Sequence, residues 1–217
     1  MFVKICGITR IEDAIAAADA GADAIGLNFY PESKRCVTLQ RARAIATAVR
    51  GRVALVGLFV NAPFEAVDRM DRMVELDLLQ FHGDETPAFC ARWGGRVIRA
   101  LRIAAESDLA QIAAYDSAHC VMLDAAVPGV YGGTGVTGEW ALARKAVEAG
   151  GKIILAGGLT PENVAAAVEA VMPFGVDTSS GVERAPGIKD HARIAAFISA
   201  ARSIRNDKGH SRGDQRP

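Results

Sequence analysis

Eight short β-like runs, each followed by a stretch with helical spacing, limit what this chain can fold into more than any other feature. The runs lie near Phe2–Cys6, Ala24–Phe29, Val53–Phe59, Leu78–Phe81, Val97–Leu101, Cys120–Asp124, Lys152–Ala156 and Gly175–Thr178. Strands that alternate with helices imply βαβ units, right-handed crossovers and a parallel sheet. Eight units in 217 residues leave about 27 residues each, near the small end for a closed barrel. The competing arrangement, an open doubly wound sheet, usually has fewer strands and binds ligands where the strand order reverses. No GxGxxG follows the first run. The reading is therefore an α/β protein with a single (β/α)8 TIM barrel over residues 1–204. Residues 205–217 lack apolar periodicity and read as a flexible C-terminal tail.

Local signals place the helices. Thr9 with Glu12 suggests a capping box before the first one. Thr86–Pro87 and Thr160–Pro161 set a capping hydroxyl before a proline at the first helical position. Gly21, Gly94–Gly95 and Gly150–Gly151 mark stops. Half of the residues are apolar, enough for a sizeable core. The 25 basic and 25 acidic side chains cancel, so no global field draws the chain to nucleic acid or to an anionic membrane. No uncharged run is long enough to span a bilayer, and the amino terminus lacks a signal pattern. Cys6, Cys36, Cys90 and Cys120 form no CxxC and read as reduced thiols of a cytoplasmic protein. The four histidines are far apart and no carboxylate cluster has ligand spacing, so no metal is expected.

In a parallel barrel, groups at the carboxyl ends of the strands converge on one face. Cys6 ends the first run and Asp124 ends the sixth, so a thiol and a carboxylate can meet there as base and acid. Backbone N–H groups around Gly7 and the start of the first helix would favour a thiolate. The alternative for Cys6 is a small buried hydrophobe, and Cys36, Cys90 and Cys120 read as packing residues. Asp124 follows the apolar Val121–Met122–Leu123, where a low dielectric favours the protonated form that a general acid needs. The alternative is a cap. The glycine-rich stretch from Ala125 to Gly138 suits a lid over a ligand or a plain connection. Period two turns Lys4 inward beneath Cys6, and barrel closure sets strand eight beside strand one. An interior Lys4–Asp177 ion pair is therefore expected, unless Lys4 lies at the rim.

Two loops look built for phosphate. Ala156–Gly157–Gly158–Leu159 ends strand seven, and Thr178–Ser179–Ser180–Gly181 ends strand eight before a short extra helix at Val182–Glu183. Gly157, Gly158, Ser180 and Gly181 then offer backbone N–H groups where such barrels recurrently bind phosphate, the alternative being plain tight turns. Lys34 and Arg35, in the loop after strand two, read either as solvated cations or, for Arg35, as a fork for a second anionic group. His82, closing strand four, reads as a hydrogen-bonded structural residue.

Taken together, these segments resemble the phosphoribosylanthranilate isomerase family. Lys4–Thr9 (KICGIT) is similar to the family's opening motif, whose cysteine is the general base. Ser33–Arg35 resembles the segment whose arginine holds the anthranilate carboxylate, and Gln80–Gly83 (QFHG) is similar to the strand-four signature. Leu123–Ala125 followed by Gly132–Gly135 (GGTG) resembles the segment carrying the general acid, here Asp124. Ala156–Leu159 and Ser179–Glu183 (SSGVE) resemble the phosphate loops. The likeness covers roughly residues 2–204. It implies an Amadori rearrangement of N-(5-phosphoribosyl)anthranilate to 1-(2-carboxyphenylamino)-1-deoxyribulose 5-phosphate in tryptophan biosynthesis. It also implies no cofactor, a small-molecule phosphosugar as the partner, and a monomer or homodimer.

Three positions depart from the family pattern. Gly138–Glu139–Trp140 stands where Phe-Asp-Trp is frequent, Thr178 where valine is usual, and Phe81 where leucine is. None removes a catalytic group. An indole-glycerol-phosphate synthase would call for catalytic lysine and glutamate, and a pentose-phosphate epimerase for a histidine-rich metal site. A phosphometabolite-binding or thiol-sensing barrel would bind without turnover. A dual-substrate isomerase also serving histidine biosynthesis would need a second phosphate site, and the sequence shows no clear one.

Overall fold

A computed structural model describes residues 1–124 and 138–209. Its eight parallel strands are β1 (Phe2–Ile5), β2 (Ala24–Asn28), β3 (Ala54–Phe59), β4 (Leu78–Phe81), β5 (Val97–Leu101), β6 (Cys120–Asp124), β7 (Ile153–Ala156) and β8 (Gly175–Thr178). They close into a barrel in sequential order, as the alternation requires. β1 pairs with β2 on one side and β8 on the other, with Lys4 opposite both Ala24 and Asp177.

The helices are α1 (Ile11–Asp19), α2 (Leu39–Val49), α3 (Phe64–Val74), α4 (Pro87–Cys90), α5 (Gly138–Glu148), α6 (Val164–Val171) and α7 (His191–Gly209). The capping readings divide. Thr86 caps α4 by accepting the Phe89 N–H at 3.2 Å, with Pro87 at the first turn. The capping box at Thr9 does not form: α1 begins at Ile11, and the Thr9 hydroxyl donates instead to the Gly187 carbonyl. Thr160 caps a turn ahead of α6, accepting the Glu162 N–H at 3.3 Å. After β5 the chain makes a 3₁₀ segment, Glu106–Tyr115, rather than an α-helix. After β8 a three-residue 3₁₀ turn, Ser180–Val182, precedes a small antiparallel hairpin of β9 (Glu183–Ala185) and β10 (Ile188–Lys189).

Alternation along each strand splits the core into two layers. Ala24, Val56, Ile98, Ala100, Cys120, Met122, Ile154 and Ala156 fill the barrel interior. Val3, Ile5, Leu27, Leu79, Phe81 and Leu155 face the helices. Each large side chain so buried contributes roughly 1.5–3 kcal/mol. Phe2 stacks on Phe174 with ring centroids 5.6 Å apart, and the Lys152 ammonium lies 4.3 Å from the Phe174 centroid. His119 Nε2 sits 3.3 Å from that same ammonium. No helix among the described residues is long and apolar enough to cross a membrane.

Candidate active site

Residues with the parity of the interior layer point into the barrel mouth where the strands end. On β1 these are Lys4 and then Cys6, just past the strand. The Lys4 ammonium meets Asp177 Oδ1 at 2.7 Å, and both residues are buried. The expected interior ion pair is therefore present. Burial works against the lysine's charge, but Asp177 and the Cys6 sulfur outweigh it and hold its pKa above the ordinary lysine range. Cys6 is only 7% exposed, and its N–H donates to the Thr178 carbonyl at 2.8 Å. Gly26 on β2 shows how closely these groups pack. A Cβ there would stand 2.8 Å from Cys6 Sγ and 3.2 Å from Lys4 Nζ. The positive group beside the sulfur is thus a buried lysine. The end of α1 is not that group, because the helix starts only at Ile11.

Arg35 lies over Gly7, whose added Cβ would strike Arg35 Cδ at 2.4 Å and Ser179 Oγ at 2.9 Å. Its guanidinium forks onto Glu183, Nε to Oε1 at 2.8 Å and Nη2 to Oε2 at 2.6 Å. Lys189, on β10, brings a second cation to the same carboxylate at 3.0 Å and bonds the Ser179 carbonyl at 2.9 Å. Burial opposes the Glu183 charge, yet Arg35 and Lys189 hold its carboxyl below the usual range. Burial also pulls Lys189 below an ordinary lysine despite Glu183. Sequence reasoning found Arg35 but missed both partners. Lys189 lies on a hairpin that no local pattern announced.

On β4, Gln80 and then His82 share the inward parity. His82 Nε2 stands 3.6 Å from Asp124 Oδ2, and its Nδ1 meets Gln80 Nε2 at 3.1 Å. The histidine is hydrogen-bonded as expected, but it also faces the carboxylate that ends β6. Asp177 feels His82 as well as Lys4. Charged and polar groups thus run from Asp124 through His82 and Asp177 to Lys4 and Cys6, across the mouth from β6 to β1.

Gly157 (φ +89°) and Gly158 (φ +63°) both adopt the left-handed conformation that favours glycine. The β8 loop is stitched to them: Thr178 Oγ1 donates to the Leu159 carbonyl at 2.7 Å. A Cβ on Gly181 would lie 2.0 Å from that same carbonyl oxygen, so only glycine fits.

Cys90 and Cys120 are buried, and burial pushes their thiols up to about 11 and about 12. Cys36, in the loop after β2, is exposed and is therefore not a packing residue. The glycine-rich stretch from Ala125 to Gly138, with its GGTG, lies outside the described residues up to 137, as do residues 210–217 of the tail.

A closed (β/α)8 barrel whose titratable residues gather where the strands end has the arrangement of the barrel enzymes. The family model described as N-(5'phosphoribosyl)anthranilate (PRA) isomerase matches residues 3–200, and the chain belongs to that family. An N-(5'-phosphoribosyl)anthranilate isomerase of Pseudomonas fluorescens is 54% identical over 200 residues, covering 92% of this chain and 97% of that protein. One from Thiobacillus denitrificans is also 54% identical, covering 93% and 98%. Among solved structures, the phosphoribosyl anthranilate isomerase of Thermotoga maritima superposes with a TM-score of 0.84 at 41% identity, covering 93% of this chain and 98% of that one. Another, in complex with reduced 1-(o-carboxyphenylamino)-1-deoxyribulose 5-phosphate, gives 0.82 at 38% identity, with 93% and 98% covered.

Proposed function

We propose that this chain isomerises N-(5′-phosphoribosyl)anthranilate to 1-(2-carboxyphenylamino)-1-deoxyribulose 5-phosphate, a step of tryptophan biosynthesis. The observation that carries this is the placement of Cys6 and Asp124. Cys6 directly follows β1 and Asp124 ends β6 of one closed barrel, both with inward parity, in a chain whose relatives are named for that activity. Asp124 gives its proton to the ribose ring oxygen. The bond from that oxygen to C1 breaks as the anthranilate nitrogen forms a C1=N iminium. Cys6, as a thiolate, takes the proton from C2. The freed pair becomes C1=C2, and the former imine pair returns to nitrogen. The enolamine then gains a proton at C1 and loses the one on its C2 hydroxyl, leaving the ketone. Atoms balance, and the chemistry calls for no cofactor.

The surroundings support those roles. The Lys4 ammonium lies beside the Cys6 sulfur, where the C2 proton is taken. The carboxylate left on Asp124 faces His82. Arg35 holds the anthranilate carboxylate through Nη1, the group its fork onto Glu183 leaves over. Gly157, Gly158, Ser180 and Gly181 cradle the phosphate with their N–H groups. We infer a cytoplasmic location from the four free thiols. A monomer or homodimer is our reading of the assembly; one related structure describes monomers of a dimeric Thermotoga maritima enzyme.

Loss of substrate fluorescence on adding purified protein tests the activity. A general acid or base contributes roughly 10² to 10⁴ in rate. Cys6→Ser and Asp124→Asn should lose kcat by that order while binding the reduced product analogue within a few-fold of wild type. Near-normal turnover in either variant overturns the assignment.

A further inference from the structure

Gln80 is among the most deeply buried polar residues of the barrel, at 1% exposed, and nothing in the proposed reaction uses it. Its Nε2 reaches His82 Nδ1 at 3.1 Å and Met122 Sδ at 3.5 Å, while its Oε1 is buried with no hydrogen-bond partner among the described residues. A side-chain amide has two orientations, which exchange its oxygen and its nitrogen. With Nε2 toward His82, both amide hydrogens have acceptors, an imidazole nitrogen and a thioether, and one carbonyl oxygen is orphaned. Turned over, the oxygen could accept a proton carried on His82 Nδ1 but would also face a thioether that has none to give, and two N–H donors would be orphaned in place of one oxygen. A side-chain amide has two donors to satisfy, and each buried unmet polar group costs about 1–3 kcal/mol. The first orientation wins.

That orientation leaves no room for a proton on Nδ1, because a donor already points at it. The His82 proton must sit on Nε2, the nitrogen 3.6 Å from Asp124 Oδ2. We propose that Gln80 is a positioning residue: by fixing the His82 tautomer, it makes the imidazole an N–H donor toward Asp124. The consequence is chemical. A bare Nε2 would accept the Asp124 proton and divert it from the ribose ring oxygen. An Nε2–H cannot take that proton, and it stabilises the carboxylate that forms once the proton is delivered. The present 3.6 Å is longer than a hydrogen bond. Such contacts tighten in the substrate complex.

This inference rests on the reading of Asp124 as the acid, but its first test needs no substrate. Long-range proton–nitrogen correlation on 15N-labelled protein, with the His82 signals assigned by their loss in His82→Gln, reports which ring nitrogen carries the proton. Wild type should show a pyrrole-type Nε2 and a pyridine-type Nδ1. In Gln80→Glu the carboxylate can only accept, so a proton should appear on Nδ1. Its kcat should fall about 10- to 100-fold with KM within about threefold. Gln80→Leu removes the donor without adding charge and should show both tautomers. His82→Gln keeps an amide N–H near the Nε2 position, and in that background the identity of residue 80 should no longer affect kcat. A proton on Nδ1 in the wild-type spectrum overturns the proposal whether or not any variant folds. So does a Gln80→Glu enzyme whose tautomer reverses while its kcat stays unchanged. If the spectrum is as expected but Asp124→Asn is fully active, the fault lies with the acid assignment and not with the tautomer.

Discussion

Gly26→Ala makes the sharpest demand on the site's geometry. The new Cβ would stand 2.8 Å from Cys6 Sγ, 3.1 Å from Cys6 Cα and 3.2 Å from Lys4 Nζ. Carbon contacts are comfortable at about 3.5–4.0 Å, so the sulfur must retreat by about 1 Å. Because one of the three atoms is backbone, a rotamer change at Cys6 cannot relieve everything, and the end of β1 must shift too. A misplacement of about 1 Å in a reacting group costs on the order of 10²-fold, equivalent to about 2.7 kcal/mol of transition-state stabilisation. Overpacking should remove about 1–3 kcal/mol of stability as well. Gly57→Ala separates the two effects. Its Cβ would meet Leu76 Cδ1 at 2.5 Å and Phe59 Cε2 at 2.9 Å, in the layer facing the helices. Steady-state kinetics at a temperature where both variants are folded should show kcat/KM down about a hundredfold for Gly26→Ala. Gly57→Ala should melt early but keep its turnover. A Gly26→Ala enzyme within about twofold of wild type would refute the placement of the base beside this strand.

Three further outcomes follow from buried charge and burial. Lys4→Met leaves Asp177 buried without its ion-pair partner and should cost about 3–5 kcal/mol in denaturant unfolding, while Lys4→Met with Asp177→Leu recovers most of it. His119 is held below its ordinary 6.5 by burial and by Lys152. Its neutral form is therefore favoured on folding: the stabilisation is present above 6.5 and lost as pH falls through the depressed value. The melting temperature should drop on acidification below 6.5, with a gentler slope in His119→Gln. Iodoacetamide at pH near ~8 should label the exposed Cys36 and spare Cys90 and Cys120, whose thiols are pushed up to about 11 and about 12; native mass spectrometry with peptide mapping reads this directly.

Strand positions were legible because a barrel strand is a short, self-contained apolar run bounded by turn residues. Every strand ends within a residue of where the pattern put it. Lys4–Asp177 was legible for the same reason, since parity and closure together leave few places for a buried lysine to go. Cap chemistry was less so. Thr9 has the right neighbours for a capping box, but a carbonyl from Gly187, far away in sequence, takes its hydroxyl instead. The Arg35–Glu183–Lys189 cluster and the approach of His82 to Asp124 join loops or strands that are distant in the chain. No periodicity encodes such meetings. They follow only from which strands the closed ring brings round to the same mouth.

The central claim is that Cys6 and Asp124 address one sugar from opposite sides. A crystal structure of this chain with reduced 1-(o-carboxyphenylamino)-1-deoxyribulose 5-phosphate tests it most directly. The account predicts Cys6 Sγ at about 3–3.5 Å from C2, the Asp124 carboxylate on the other side of the C1–C2 bond, and the phosphate on the N–H groups of Gly157, Gly158, Ser180 and Gly181. A ligand with both side chains on the same side, or with its phosphate bound elsewhere, would contradict it.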